Sequence, residues 1–388
     1  MSRSQAFLDK VLPENIDHIE ILGISVWTLT TAAMAMIAAT VIAITIFANM
    51  KTNEGTSDKP KERDPNLPKP TEIVSLRIYP IKSCRGFEIK KSMLKKTGLD
   101  LDRNWMFVDA EKKEFLTIRS DPSMTLIDTG LTAPDSVREI WTELRIGIRG
   151  TDAHVNVPCY PTKEWLGENC KLTEVEIWGE KTDAWAYSDA INKIFSDFFK
   201  KAVLLVYKGP TPRMSGGNAD AELYGKQEPH HFADVMSLQV ASEASLEDLN
   251  RRLKEKGQEP LTIERFRPNI IIKGNEPWEE DRWKRVRINT TEHSREMLWR
   301  VPLDVLARCA RCQVPNVNPD TADKHAKEPW ETLMTFRRVD PGSVAKYKPC
   351  FGMLCMPTKG GLIQVGSELE VMELTDKHLY NTAKFEEL

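Results

Sequence analysis

The 388-residue chain carries no strong excess of either charge: its formal net charge is −3, so a basic nucleic-acid binder is not expected. Its seven cysteines are an odd number, unevenly spread, which argues against a secreted disulfide framework and for a reducing compartment. The sequon at Asn289-Thr290-Thr291 would matter only on a luminal side. No G-x-x-x-x-G-K-S/T and no G-x-G-x-x-G is present, which removes ATP and a Rossmann-bound nucleotide from the expected ligands. G-x-S-x-G and H-E-x-x-H are missing too, so neither a hydrolase elbow nor a zincin helix is expected. The adjacent His230 and His231 have no metal-ligand spacing around them and read as part of a polar loop. No internal repeat or long low-complexity tract occurs.

Charge is absent altogether from Ile21 to Met50. About 20 apolar residues suffice for a helix to cross a bilayer core of about 30 Å, so residues 21–50 are expected to form one membrane anchor behind a segment 1–20. A cleaved signal would have a basic start, whereas Asp9, Glu14, Asp17 and Glu20 precede this run. Lys51, Lys59, Lys61, Arg63 and Lys69 follow it, against Arg3 and Lys10 before it, which puts the larger part on the cytosolic side. Residues 51–70 hold few apolar side chains and read as a flexible tether.

Short alternating runs follow, punctuated by glycine, proline and aspartate. Strands are expected at residues 73–81, 105–108, 115–118, 125–128, 144–148, 154–157 and 174–178, then at 270–273, 284–288, 297–306 and 362–372. Two amphipathic helices stand among them. One is capped by Ser188 and buries Ile191, Ile194, Phe195, Phe198 and Phe199; the other is capped by Ser242 and buries Leu246, Leu249 and Leu253. Pro329 suits the first turn of a third helix. The polar stretch Pro210–Pro229 separates an expected domain 71–209 from a second, 230–375. Strands dominate and helices are peripheral, so the fold class is β-rich α+β.

Chemistry concentrates at Leu306-Ala-Arg-Cys-Ala-Arg-Cys-Gln313, where Cys309 and Cys312 stand at C-x-x-C spacing with Arg308 and Arg311. A guanidinium beside a thiol favours the thiolate, a soft metal ligand. A zinc site would need two further ligands, from Cys350 with Cys355 or from His325; a thioredoxin pair would start a helix, but turn formers follow. Two buried small side chains is the plain alternative. Lys82 with Ser83, Arg103, Arg119, Arg265, Arg267 and Arg311 all sit at strand ends or turns. In a chain of negative net charge, such cations suit loops that converge on a phosphate-like anion.

The runs Tyr79-Pro-Ile-Lys-Ser-Cys-Arg-Gly86, Leu101-Asp-Arg-Asn-Trp105, Ser242-Glu-Ala-Ser-Leu-Glu-Asp-Leu-Asn250, Arg265-Phe-Arg-Pro-Asn269 and Arg311-Cys312 to Asn318-Pro-Asp-Thr321 resemble the MOSC family of molybdenum-cofactor proteins, most closely its amidoxime-reducing branch. The resemblance covers roughly residues 72–373 and implies an N-terminal MOSC-type β-barrel domain followed by a MOSC β-barrel domain. It implies a molybdopterin cofactor whose molybdenum takes one protein thiolate, matched here by Cys312, with Cys309 a bystander. By the same match Lys82, Ser83, Arg103, Arg267, Asn269 and Arg311 would hold the pterin and its phosphate, and Asp234 would stand by the metal as a catalytic group. The implied activity is reduction of N-hydroxylated compounds with electrons from cytochrome b5 and NADH-cytochrome b5 reductase, at the outer mitochondrial membrane; a cofactor carrier or sulfur-transfer module is the alternative. Two loops depart from the family pattern. Asp234 is followed by Val235-Met236-Ser237 instead of x-Ser-Pro, and Val317-Asn-Pro-Asp-Thr-Ala322 replaces Val-Asp-Pro-x-Thr-Gly.

Overall fold

The structure, a computed structural model, describes residues 20–21, 24–25, 64–135, 140–216, 219–292, 296–340 and 348–378. The chain divides into two units, 1–64 and 65–388. Of the anchor expected over 21–50, the described residues are Ile21, Ile24 and Ser25, and they lie in two short antiparallel strands, Glu20–Ile21 and Ile24–Ser25, not in a helix. β-Branched Ile21 and Ile24 favour that extended backbone. The rest of the expected anchor lies outside the described residues, and among those described no helix is long and apolar enough to cross a membrane. The expected tether ends early: Pro65 already belongs to the second unit, where the Lys69 carbonyl accepts a hydrogen bond from Asn275 Nδ2 at 2.8 Å.

Seven strands of the second unit close into a ring: β1 (Thr71–Ile78), β2 (Leu238–Ser242), β3 (Ile270–Ile272), β4 (Trp283–Glu292), β5 (Met297–Ala310), β6 (Cys350–Pro357) and β7 (Glu368–Leu374). Round the ring the order is β3-β2-β6-β5-β4-β7-β1, with β1 returning to β3. A strand from the front of the unit thus closes a barrel built from its back. β2 and β3 run parallel, and helix α1 (Glu243–Glu255) makes the crossover that such a pair requires. The Ser242 hydroxyl caps α1 by accepting from the Ser245 amide at 3.4 Å, and Leu249 and Leu253 are buried as their spacing predicts.

Inward side chains of the ring, among them Ile73, Val240, Ile270, Val286, Val301, Met353 and Val371, form one core with residues of the preceding sheet. That sheet pairs Cys170–Ile177, Glu180–Tyr187, Val203–Lys208 and Trp105–Asp109 in this order. The helix Asp189–Phe199 lays Phe195 and Phe199 on it, while Ile191, Ile194 and Phe198 are only partly buried. Ser188 holds the N-cap position but makes no side-chain cap; its carbonyl takes the Ile191 and Asn192 amides instead.

β6 is the strand the sequence conceals. Cys350-Phe-Gly-Met-Leu-Cys-Met-Pro357 is buried almost throughout, so it lacks the alternation that marks a half-exposed strand. Gly352 sits within it at φ 76°, where a Cβ would meet Gln239 Nε2 and the Val240 carbonyl, each at 2.8 Å. The 115–118 strand is reduced to a single bridge, Val108 to Phe115, and the 362–372 run splits into Gly361–Gln364 and β7 around Gly366 at φ 85°.

Candidate functional site

The end of β5 delivers the cysteines. Its pairing with β6 slips twice, between Val305 and Ala307 and again between Arg308 and Ala310. Such bulges re-aim side chains, and here they separate the two arginines of the motif. Arg308 turns to the Asp281 carbonyl at 3.0 Å. Arg311 threads inward: it donates to Cys309 Sγ at 3.0 Å, Gln239 Oε1 at 3.2 Å and the Phe266 carbonyl at 2.9 Å. Of the arginine frame expected around Cys312, Arg308 therefore drops out, while Arg311 acts on the thiol through its charge.

The guanidinium that reaches Cys312 comes from far up the chain. Arg119 Nε donates to Cys312 Sγ at 3.4 Å, and Arg119 Nη2 lies 3.7 Å from Asp234 Oδ2. The Arg119 guanidinium stacks 4.3 Å from the Trp178 ring centre, and Trp178 Nε1 donates to Asp234 Oδ1 at 3.0 Å. Lys82, 5% exposed, pairs with the same Asp234 oxygen and donates to the Phe232 carbonyl at 3.0 Å. The four groups form one row, Cys312, Arg119, Asp234, Lys82, in which the thiol and the carboxylate each face a cation.

That row sets the ionisation of each member. Burial alone would push the Cys312 thiol up, but the charges of Arg119 and Arg311 and the Val314 amide bring it below the ordinary thiol value. For Cys309 burial wins over Arg311, and the thiol titrates above its ordinary value. Burial lowers Lys82 to about 8 against the pull of Asp234; partial burial would raise the half-exposed Asp234 carboxyl, but Lys82 and Arg119 hold it well below the carboxylate range. Removing the guanidinium has a directional consequence. In chain prepared without molybdenum, Arg119→Leu is expected to slow iodoacetamide alkylation of Cys312 at pH 7.5 by roughly threefold or more, measured by peptide mass spectrometry.

A second cation group adjoins the first. Arg103 and Arg267 lie over the same Tyr79 ring, at 4.7 Å and 4.2 Å from its centre. Ser83, Arg103 and Arg267 all adopt left-handed backbone, with φ of 67°, 53° and 56°. Strained residues of this kind cluster at ligand sites. Arg267 Nη1 donates to the Cys84 carbonyl at 2.7 Å, while its buried Nη2 has no hydrogen-bond partner. Burial and the neighbouring Arg103 lower Arg267 to about 10. Phe232 joins the two groups, donating its amide to the Arg103 carbonyl at 3.0 Å and accepting from Lys82.

Asn269 behaves differently from the other candidates. Its Oδ1 accepts from the Gln239 amide and its Nδ2 donates to the Arg77 carbonyl, both at 3.2 Å, so it clamps β1 to β2. His230 is 2% exposed in a short strand against Arg213 and is held neutral by burial, its value lowered to about 3; it is not in a polar loop. Among the described residues no three His, Cys, Asp or Glu side chains gather as a metal-ligand set.

Both loop departures can be read. Ala322, standing where the family pattern has glycine, adopts the left-handed φ of 63° that glycine favours. Asn318 Oδ1 accepts from the Asp320 amide at 2.9 Å, as an aspartate there would. The turn is thus preserved. Met236, where the family pattern has serine, is buried with Ala219, Ala307 and Met356, and Ser237, where it has proline, is buried as well. The sequence alone gives no site role to Trp178, to Gln239 or to Phe115, whose ring lies 5.3 Å from Lys82 Nζ; Tyr79 enters there only as the start of a motif and Arg119 only among general cations, and the Trp178-Gly179 turn is the available signal for the first.

Residues 71–202 match the family model for the MOSC N-terminal beta barrel domain, and residues 227–370 that for the MOSC domain. The Mus musculus mitochondrial amidoxime-reducing component 1 is 30% identical over 306 residues, covering 77% of this chain and 82% of that protein. The Rattus norvegicus mitochondrial amidoxime reducing component 2 is 30% identical over 299 residues, covering 74% and 80%. The Arabidopsis thaliana molybdenum cofactor sulfurase is 30% identical over 294 residues, covering 73% of this chain and 32% of that protein. By these matches and its two consecutive domain models, the chain belongs to the MOSC family, as a relative of the mitochondrial amidoxime-reducing components.

Proposed function

We propose that this chain is a molybdenum-cofactor oxidoreductase that reduces N-hydroxylated compounds: amidoximes, hydroxylamines and N-oxides. The observation that carries the reading is Cys312 Sγ, favoured as a thiolate by Arg119 and sharing that guanidinium with Asp234. The residues fit a molybdopterin. Arg267 Nη2, Arg311 Nε and Tyr79 Oη are buried without hydrogen-bond partners, and of the two arginines over the Tyr79 ring Arg103 is paired with Asp102, which leaves the charge of Arg267 for a phosphate. In this reading Cys312 is the metal ligand. Lys82, Ser83, Arg103 and Arg267 hold pterin and phosphate, with Arg311 and Asn269 bracing them from behind. When bound, the cofactor supplies a two-electron centre able to take the oxygen of an N–O bond.

The protein's own part is electrostatic. Arg119 favours the thiolate at Cys312, Asp234 fixes Lys82, and Lys82, lowered to about 8, can give one of the two protons that two-electron cleavage of the N–O bond to water consumes, the other coming from solvent. Trp178 orients Asp234 from the open side. Electrons would come from cytochrome b5 and NADH-cytochrome b5 reductase. The relatives' names support a mitochondrial setting, and the uncharged run 21–50 supports an outer-membrane anchor with the catalytic part, domains 71–209 and 230–375, in the cytosol. Full-length protein from a molybdenum-replete host is expected to reduce benzamidoxime when both partners and NADH are supplied. A second reading, sulfur transfer through a Cys312 persulfide, is favoured by the sulfurase relative; persulfide labelling at Cys312 without benzamidoxime turnover would select it.

A further inference from the structure

Arg85 belongs to the Tyr79–Gly86 motif, yet the chemistry above does not use it. It lies two residues beyond Ser83, with its side chain 17% exposed. Its backbone is pinned on both sides: the amide donates to the Ile127 carbonyl at 3.1 Å, and the carbonyl accepts from Thr129 Oγ1 at 2.7 Å. From that fixed base Nη1 donates to the Pro319 carbonyl and to Asp320 Oδ1, both at 2.8 Å. Nη2 donates to Glu264 Oε2 at 3.4 Å, and Nε lies 3.3 Å from Glu264 Oε1. Arg149 takes Asp320 Oδ1 from the other side at 2.7 Å and Asp128 Oδ2 at 3.4 Å.

The partners of this one guanidinium are the point. Asp320 and Pro319 lie in the loop that follows Cys312, Glu264 in the 3-10 turn that ends at Arg267, and Arg85 itself in the loop of Lys82 and Ser83. Three loops that carry candidate ligands therefore meet at one planar fork. We propose that Arg85 is a positioning residue that fixes the loop carrying Cys312 relative to the turn carrying Arg267, with Asp320 as its grip on the former. The proposal rests on the assignment of these loops to the cofactor site, but its mechanical content stands apart from it. A lysine keeps the charge but has a single point of contact, so it cannot hold a carbonyl, Asp320 and Glu264 together.

Hydrogen exchange with mass spectrometry on the full-length chain tests this. Arg85→Gln and Arg85→Lys are expected to speed amide exchange in residues 312–325 and 262–268 by roughly tenfold, with exchange in α1 unchanged. Asp320→Asn is expected to act on 312–325 alone, because Glu264 is still held; it carries the same decision if Arg85→Gln does not fold. Unchanged exchange in 312–325 for Arg85→Lys and Asp320→Asn overturns the proposal, as does a rise of equal size in every segment, which would mark a general stabilising role. A wild-type protein free of molybdenum would sink the oxidoreductase reading while leaving the exchange contrast to decide Arg85.

Discussion

Cys312→Ala is expected to lose benzamidoxime turnover by roughly a thousandfold or more, while Cys309→Ala stays within a few-fold of wild type. The two thiols are three residues apart in sequence and opposite in circumstance. Cys309 is tied to Arg311 at 3.0 Å, and burial keeps its thiol above the ordinary value. Cys312 is beyond the strand end, beside Arg119 and in line with Asp234 and Lys82, with its thiol lowered. Alanine at 309 removes one contact of a well-anchored arginine, which retains Gln239 and the Phe266 carbonyl. Alanine at 312 removes the sulfur that this account makes a metal ligand. Turnover is read with both electron-transfer partners in excess, so that only the chain itself limits the rate. Equal losses in the two variants would return the C-x-x-C pair to a plain packing role.

The second large effect is on stability. Glu280 is 1% exposed; Oε1 accepts from Ser245 Oγ at 2.7 Å, and the buried Oε2 has no hydrogen-bond partner. Burial raises its carboxyl from the ordinary 4.5 to about 7, against the opposing pull of the Ser245 hydrogen bond. A carboxyl raised on folding favours the protonated native state. Its contribution is therefore fully present below pH 4.5, is lost as pH rises towards 7, and stays lost above. The difference amounts to about 3 kcal/mol. Glu280→Gln keeps an acceptor for Ser245 without the charge. Its urea unfolding free energy is expected to exceed wild type at pH 8 by up to about 3 kcal/mol, the gap closing towards pH 4.5. A gap independent of pH would show that Glu280 does not titrate in this window.

Much of this could be read from residue order alone, because the motifs pair a physical demand with a fixed spacing. The helix 243–255 declared itself through Ser242 and the Leu249–Leu253 spacing, and the cation turns at Lys82, Arg103 and Arg267 stood out in a weakly acidic chain. What stayed hidden was long-range or irregular. Arg119 and Cys312 lie 193 positions apart, and no local pattern announces such a pair. The bulges that turn Arg308 away from Cys312 depend on the register with β6, a strand that burial on both faces made illegible. β1 closes the ring by pairing with β3, a contact across nearly 200 residues that sequence division into halves obscures. Asn269 was grouped with the ligands by its motif, whereas both ends of its amide are engaged with backbone.

The most direct measurement is the molybdenum and pterin content of full-length wild type, Cys309→Ala and Cys312→Ala, purified identically from one molybdenum-replete host. The account expects near-stoichiometric metal in wild type and in Cys309→Ala, and little retained in Cys312→Ala. Cys312→Ala loaded like wild type, or a wild type that carries no molybdenum, would contradict it.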